Sequence, residues 1–416
     1  MVKIKNIIKN KELRNKIILT FTILLIYKIG TTIKLPTVNN SVDAVSNSVL
    51  NLMNYVSGSF LEKFTMFSLG ITPYITASIA VQLLGMGVIP ALERWKKEGE
   101  KGTKKTEKLT FIVFVILALI ESILLTLVFK GQYEALKDDS IITFILTASL
   151  LFMGSLITLL MARIITKKGI GNGASLIIFT GIISRLGYDI YWTGYNMITN
   201  NPITILYYVL YLLFFVLLIA GIVFIEKSVR KIKIEYSKQS ATFMSSQSNI
   251  PLKVNLGGVI PIIFTVSILT GFAYLGYFLN NDILKNMANY NDILGYLIYI
   301  SLIMLFSIYY GKELYNAKTI SDNLNKSNAV IQGKLPGKET EKYLDKTITH
   351  MTIIGGICLI VIASIPVLIS SFTNTTYNLT LGGTSIMIMA GVATETMSEI
   401  KAKIKTVKTK KQSLFD

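Results

Sequence analysis

Ten apolar stretches follow one another along this chain of 416 residues, and most are long enough to cross a lipid bilayer as an α-helix. The hydrocarbon core of a bilayer is about 30 Å thick and needs roughly 20 helical residues to span it. The chain is therefore predicted to be an all-α integral membrane protein with ten transmembrane helices. The ten stretches are residues 17–33, 64–91, 109–129, 141–161, 174–190, 203–224, 256–279, 293–309, 353–372 and 381–392.

The segments between the stretches are alternately rich and poor in lysine and arginine, and this pattern predicts the orientation of the chain. Residues 1–16 carry six of these cations, residues 92–108 seven, residues 227–253 six and residues 312–346 seven. Because cytoplasmic loops carry the excess of positive charge, both termini are expected to face the cytoplasm. Topology and attraction to anionic membrane lipid account for the formal net charge of +18 without a nucleic-acid partner.

The ten stretches divide into five and five near the middle of the chain. This division predicts two pseudo-symmetric five-helix halves, residues 1–190 and 191–416, on the basis of helix number, because no residue-level repeat is evident. Two stretches are irregular. Gly70 and Pro73 interrupt the second, where proline removes a backbone donor and predicts a kink or a restart. The glycine run at 169–173 is too flexible for a helix interior.

Residues suited to metal binding or catalysis are few. His350 and Cys358 are the single histidine and the single cysteine, so no metal site, cofactor site or intramolecular disulfide is expected. The sequence has no HExxH, GxSxG or phosphate-loop motif, and an enzyme is therefore not expected. Glu121 is the carboxylate that lies clearly at membrane depth. An ion-coupled secondary transporter needs more ion ligands than this and is a remote alternative, as is a lipid flippase or a membrane scaffold.

Several short motifs lie in and beside the second, fifth, seventh and tenth stretches. They are LGITPYITASI at 69–79, QLL at 82–84, GIGNGAS at 169–175, PLKVN at 251–255, GVIP at 258–261, KLPGKETEKYL at 334–344 and GGTS at 382–385. In this order, and spread over nearly the whole chain, they resemble the SecY family of protein-translocation channels. The resemblance implies a clamshell of two five-helix halves around an hourglass-shaped pore in the bacterial plasma membrane.

The resemblance also implies a constriction of aliphatic side chains in that pore, called the collar below. Matching the motifs one by one assigns six isoleucines to it: Ile75, Ile79, Ile178, Ile182, Ile263 and Ile388. The i, i+4 spacing of the pairs in the second and fifth stretches places each pair on one helix face. A narrow apolar collar dewets and opposes hydrated ions, while its flexible side chains can close around a moving polypeptide of any sequence.

A plug on the outer side of the collar, and a seam between the halves that opens toward lipid, are implied in the same way. The plug would fall at about 57–65, and its candidate residues are Ser57, Phe60, Leu61 and Phe64. The seam is expected between the second and third stretches on one side and the seventh and eighth on the other. Its candidate polar groups are Gln82, Glu121 and Ser267.

Two long cytoplasmic segments, residues 226–253 and 311–350, are expected to dock a SecA-type motor ATPase or a ribosome. Positive charge would make this contact, and the candidate cations are Arg230, Lys231, Lys233, Lys238, Lys334 and Lys338. The resemblance implies further partners: a small SecE-like subunit, a SecG-like subunit and an unfolded preprotein that passes through the pore.

One position departs from the family's usual pattern of Gly, apolar, Arg, Pro, Gly. The chain reads GKLPG at 333–337, so Leu335 stands where the arginine is usual and Lys334 precedes it. Lysine does not reproduce the bidentate geometry of arginine. The departure, with the compact segment after the sixth stretch, resembles the accessory SecY type of Gram-positive bacteria, which exports particular surface proteins. A housekeeping SecY for general secretion and membrane insertion is the alternative.

Overall fold

The computed structural model describes residues 10–39, 64–85, 89–131, 136–200, 204–236, 248–279, 281–288, 292–373 and 383–412. The helices are α1 Lys11–Gly30, α2 Thr72–Leu84, α3 Pro90–Lys97, α4 Glu100–Gly131, α5 Ile141–Lys168, α6 Gly173–Asn200, α7 Thr204–Lys227, α8 Ile260–Phe278, α9 Asp282–Ala288, α10 Ile293–Leu314, α11 Ala317–Lys326, α12 Lys338–Thr373 and α13 Gly383–Gln412. The strands are β1 Val229–Tyr236, β2 Ser248–Lys253 and β3 Ala329–Ile331.

Each of the ten predicted stretches coincides with an α-helix: α1, α2, α4, α5, α6, α7, α8, α10, α12 and α13. Among the described residues, four helical segments are long and apolar enough by themselves to cross a membrane: Glu100–Gly131, Ile141–Lys168, Ile293–Lys326 and Lys338–Ile365. The predicted helical membrane fold is therefore confirmed.

Helix α4 shows how such a helix divides its surface between protein and lipid. Phe114, Ala118 and Leu125 are fully buried along one face. Ile116 and Ile123, by contrast, are 53% and 46% exposed. Large apolar side chains that recur with helical spacing on an exposed face are expected where the surrounding medium is hydrocarbon.

The predicted interruption of the second stretch is confirmed. Gly70 has a φ of +53°, a left-handed conformation that glycine adopts without steric cost. Helix α2 then begins at Thr72 with Pro73 in its first turn, where the missing N–H would have had no helical partner. The apolar helix that remains is 13 residues long and ends at Leu84.

Residues 169–172 of the glycine run are also outside the helices, as predicted, while Gly173 begins α6, and side chains hold the run in place. The backbone N–H of Ile170 donates to Thr20 Oγ1 at 3.0 Å, and that of Gly173 donates to Thr166 Oγ1 at 2.9 Å. The N–H of Gly171, whose φ is +82°, donates to a carboxylate oxygen of Glu399 at 2.9 Å. A run that composition alone would describe as flexible is thus a fixed connection.

The three strands form one small sheet in the order β2-β1-β3, with both pairs antiparallel. Strand β1 alternates, with Ile232 and Ile234 buried and Lys231 and Lys233 exposed. Buried residues from the sheet, α11 and α12 form a hydrophobic core: Ile232, Ile234, Leu252, Leu256, Leu324, Ala329, Ile331, Leu344, Ile348 and Met351. This sheet was not predicted from the sequence, although the period-two alternation of VRKIKIEY at 229–236 indicates a strand.

The chain forms two compact units. The first comprises Met1–Trp192, Val266–Asn289 and Val392–Asp416, and the second comprises Thr193–Thr265 and Tyr290–Gly391. The first unit's longest segment ends beside the predicted division at 190/191. Two-fold pseudo-symmetry of the halves stays a prediction.

Candidate channel and docking sites

Four of the six predicted collar residues belong to the first unit. Ile75 is half-buried and Ile79 is 5% exposed, and their spacing on α2 places them on one helix face. Ile178 and Ile182 repeat this spacing on α6 and are 3% and 5% exposed. The break at Gly70 and the fixed glycine run therefore determine where these two helices begin.

The other two collar residues belong to the second unit. Ile263 is half-buried in the first turn of α8, and Ile388 is 2% exposed in the second turn of α13. Each unit thus supplies isoleucines from two helices. Their assembly into one ring stays a prediction.

Of the predicted plug residues, Phe64 is described, whereas Ser57, Phe60 and Leu61 lie outside the described residues. Phe64 has a φ of +46°, its ring meets that of Phe129 edge to face with centroids 4.4 Å apart, and its carbonyl accepts from the Leu35 N–H at 2.9 Å. Leu69, Leu125 and Leu151 belong to the same hydrophobic cluster. The chain that leaves the predicted plug is therefore anchored in the core of the first unit.

The segment after Phe64 lies close against α5. Gly154 faces the backbone of Met66 so closely that a Cβ at position 154 would overlap the Met66 carbonyl oxygen. The turn itself is fixed because the Thr65 N–H donates to Ser68 Oγ at 2.8 Å. Glycine at 154 thus allows the approach that positions the start of α2.

The three predicted seam residues all fall in the first unit. Gln82 is half-buried and its Nε2 donates to Ser78 Oγ at 3.0 Å along α2. Glu121 and Ser267 are 8% and 4% exposed, and within the described part of the chain Glu121 Oε2 and Ser267 Oγ have no hydrogen-bond partner. Buried polar atoms of this kind are uncommon and destabilise the packing around them.

A buried polar contact that was not predicted lies between the sheet and the start of α8. Asn255 Nδ2 donates to Glu226 Oε1 at 2.7 Å and to the Gly258 carbonyl oxygen at 2.9 Å. Asn255 and Glu226 are 1% and 9% exposed. The contact joins the end of α7 to the turn that starts α8, and the PLKVN motif contained the asparagine without indicating its partner.

The predicted docking cations of β1 do not all share one surface. Lys231 and Lys233 are exposed and two residues apart, so they lie on the same face of the sheet. Arg230 is also exposed, but its position in the strand alternation places it on the face of Ile232. Lys238 lies outside the described residues.

The remaining predicted cations lie in the turn that follows β3 and in the first residues of α12; this segment, residues 333–340, is called the tip below. Lys338 is exposed at the start of α12. Lys334 Nζ lies 3.2 Å from Glu339 Oε1 and 5.9 Å from the centroid of the Tyr343 ring. The lysine is therefore occupied within the chain itself.

Metal coordination has no candidate in the part of the chain that the structure describes, since no group of three or more His, Cys, Asp and Glu side chains could hold an ion. The described residues form apolar helices, an interrupted helix with an isoleucine face and a small sheet with exposed cations, which together fit a membrane channel.

Comparison with known proteins agrees with this class. The family model described as SecY matches residues 65–397. Protein translocase subunit SecY of Staphylococcus carnosus is 36% identical over 96% of this chain and 96% of its own length. Protein translocase subunit SecY 1 of Lactobacillus kefiranofaciens subsp. kefiranofaciens is 35% identical over 95% of this chain and 96% of its own length.

Solved structures show the same fold at lower sequence identity. A structure described as "The structure of a protein conducting channel" has a TM-score of 0.68 at 16% identity, over 93% of this chain and 91% of that chain. Sec61 in the canine ribosome-channel complex has a TM-score of 0.62 at 16% identity, with the same coverage. The fold and the sequence together define a protein-conducting membrane channel.

The chain belongs to the SecY family. It is a protein translocase subunit that forms the pore of such a channel.

Proposed function

We propose that this channel exports unfolded preproteins across the bacterial plasma membrane, driven by a SecA-type motor, as an accessory system for particular surface proteins. This proposal is supported chiefly by the chain's membership of the SecY family over nearly its full length. Both termini would face the cytoplasm, because the N-terminal tail and alternate segments between the membrane helices carry the excess of lysine and arginine that is typical of cytoplasmic loops.

The collar is the proposed passage for the polypeptide. Six isoleucines offer an apolar constriction without fixed charge, which a hydrated ion crosses only at high cost. Ile79, Ile178, Ile182 and Ile388 are buried, as side chains that close on one another would be. The plug would cover the collar from outside, and Phe64 at its end packs in the hydrophobic cluster of the first unit.

The seam is the proposed exit toward lipid. Glu121 Oε2 and Ser267 Oγ lack partners within the described residues, so closing the seam over them does not give the full stabilisation of an apolar contact. Incomplete packing lowers the free energy needed to separate the two sides of the seam, so it suits a surface that must open. We assign Gln82, Glu121 and Ser267 to this role.

The sheet and the tip are the proposed docking surface for the motor. Lys231 and Lys233 present two cations on one face of β1, and Lys338 adds a third at the start of α12. A ribosome is the alternative occupant, and small SecE-like and SecG-like membrane subunits would complete the channel. The accessory type rests on Leu335, which is 70% exposed where the family usually has arginine.

Export in reconstituted vesicles tests this function. Vesicles with the purified channel and its small subunits would receive a model preprotein, ATP and, in turn, each SecA encoded in the same genome. An accessory motor is expected to drive export about tenfold faster than the housekeeping motor, a difference of about 1.4 kcal/mol. Equal rates with both motors, or a genome with a single SecA, would contradict the accessory type and leave the channel intact. Absence of export with every motor would contradict the SecA-driven function.

A further inference from the structure

Side chains from three helices hold the glycine run that leads into α6. Thr20 on α1 and Thr166 on α5 each accept a hydrogen bond from its backbone through a hydroxyl oxygen. The third contact differs in kind, because the Gly171 N–H donates to the carboxylate of Glu399 on α13, which lies 228 residues further along the chain. Hydrogen bonds to an ionised acceptor are roughly twice as strong as those between neutral groups. Glu399 is therefore expected to be the strongest of the three attachments.

The approach of α13 to Gly171 is close as well as polar. Gly171 has a φ of +82°, and a Cβ at this position would lie 3.3 Å from Thr396 Oγ1 on α13. Glu399 is half-buried, and the carboxylate oxygen that does not bond Gly171 lies 2.6 Å from Lys403 Nζ, one turn further along the helix. Each oxygen of the carboxylate thus has a partner of its own, and the Glu399 side chain is fixed at both.

Both α6 and α13 carry predicted collar residues. Ile178 and Ile182 lie on α6, and Ile388 precedes Glu399 on α13. At about 1.5 Å per helical residue, Ile182 lies about 14 Å along α6 from Gly173, and Ile388 lies about 16 Å along α13 from Glu399. The contact between Gly171 and Glu399 therefore sets how far along its own helix each isoleucine lies from one shared point.

Helix α13 has a second close attachment, at Gly391. A Cβ at Gly391 would lie 2.7 Å from Val259 Cγ2, directly before α8. Gly391 and Val259 belong to the second unit, whereas Gly171 and Glu399 belong to the first. One continuous helix is thus packed in the second unit beside Ile388 and hydrogen-bonded in the first unit about two turns later.

We propose that Glu399 is a positioning residue of the channel, which aligns Ile388 with Ile178 and Ile182 by holding α13 to the backbone of Gly171. This inference rests on the proposed collar and concerns how that collar is aligned. Glu399 acts through the two helices that it joins. When the contact is broken, α13 can slide or turn against the start of α6, and a misaligned collar opposes hydrated ions less well.

Hydrogen exchange of the full channel in nanodiscs measures the contact itself. The Gly171 amide is expected to exchange roughly tenfold faster in Glu399→Ala, because a hydrogen bond to a charged group contributes enough to shift an equilibrium by that factor. Glu399→Gln keeps an acceptor oxygen and is expected to restore part of the protection. Glu395→Ala removes an exposed carboxylate one turn earlier on α13, and Lys403→Gln removes the ion pair alone, so both should exchange as the wild type does.

Crosslinking between two collar positions measures the alignment. Cysteines replace Ile182 and Ile388, alanine replaces Cys358, and a short bifunctional thiol reagent is added to the nanodiscs. In Glu399→Ala the crosslinking rate is expected to fall by about twofold or more, because the aligned state loses the same roughly tenfold preference. Ion leak of the channel without added cysteines, measured in planar bilayers, should rise in the same variant. Neither quantity should change in Glu395→Ala, which is the matched control.

The outcomes separate this inference from the collar on which it rests. Absence of any crosslink between the two cysteines when Glu399 is intact would overturn the collar and its alignment together. A wild-type crosslinking rate and leak in Glu399→Ala, despite faster exchange at Gly171, would overturn the positioning role and support the collar. Equal effects of Glu395→Ala and Glu399→Ala would also overturn that role. Melting temperatures are compared throughout, and Glu399→Gln takes the place of Glu399→Ala where the alanine variant is unfolded.

Discussion

Replacing Ile388 with asparagine is expected to raise ion leak through the reconstituted channel by roughly tenfold or more, since each reduction of about 1.4 kcal/mol in a barrier is a tenfold change in rate. Ile388 is 2% exposed on α13, and the asparagine amide would place hydrogen-bonding groups in a dry constriction. Ile263→Asn on α8 should act in the same direction. The measurement is the conductance of planar bilayers that contain the purified channel.

Two variants serve as controls for the leak. Ile388→Leu retains an apolar side chain of the same volume and is expected to leave the conductance near that of the wild type. Ile116→Asn makes the same chemical change on α4, where the side chain is 53% exposed, and should not open a path for ions. Unchanged leak in both Ile388→Asn and Ile263→Asn would remove these two residues from the collar.

Adding one methyl group at Gly154 is expected to lower the free energy of unfolding by about 1–3 kcal/mol, the usual cost of overpacking. The Cβ of Gly154→Ala would overlap the carbonyl oxygen of Met66, and a backbone atom cannot move aside as the end of a side chain can. Since the segment from Phe64 to Leu69 packs in the core of the first unit, the start of α2 should shift as well. Thermal melting of the purified channel in detergent measures the effect.

Gly221→Ala provides the matched control. Gly221 lies in α7, and a Cβ added there meets open space. Alanine also favours the helix over glycine by up to about 1 kcal/mol, so this variant should melt at or above the wild-type temperature. Equal melting temperatures for Gly154→Ala and Gly221→Ala would contradict the close packing of α5 against the segment that begins at Phe64.

The membrane helices could be predicted from the sequence because their signal is strong and local. A helix in lipid must satisfy its own backbone hydrogen bonds, so length and hydrophobicity suffice to locate it. The interruption at Gly70 and Pro73 could be predicted equally well, since the backbone preferences of glycine and proline act without tertiary contacts. Helix α2 accordingly begins at Thr72, beside the interruption that was predicted.

The sheet and the segments beside it were harder to predict because their structure depends on contacts between distant residues. Strand β1 pairs with β3, whose residues Ala329–Ile331 lie far along the chain. The contact between Asn255 and Glu226 likewise joins two motifs that no local pattern connects. Lys334 was predicted as a docking cation, and its pairing with Glu339 depends on a turn that the sequence does not specify by itself.

The collar residues could be predicted partly from local sequence pattern and partly only from the resemblance to a family. Their helices and their i, i+4 faces follow from local pattern, and the burial of Ile79, Ile178, Ile182 and Ile388 agrees with a role inside the molecule. Their convergence on one passage follows from the resemblance to a family and not from periodicity. The convergence of the six isoleucines on one passage is the main structural prediction for this channel.

Crosslinking of a translocating chain to the collar tests this claim most directly. A photoreactive residue is placed at Ile75, Ile182 or Ile388 in the reconstituted channel, and at Ile116, which is 53% exposed on α4, as the control. A preprotein is then arrested midway by a bulky folded domain in the presence of motor and ATP. If the six isoleucines form one passage, ATP-dependent crosslinks to the preprotein are expected from the three collar positions and none from Ile116. Export with crosslinks from Ile116 and from none of the collar positions would contradict it.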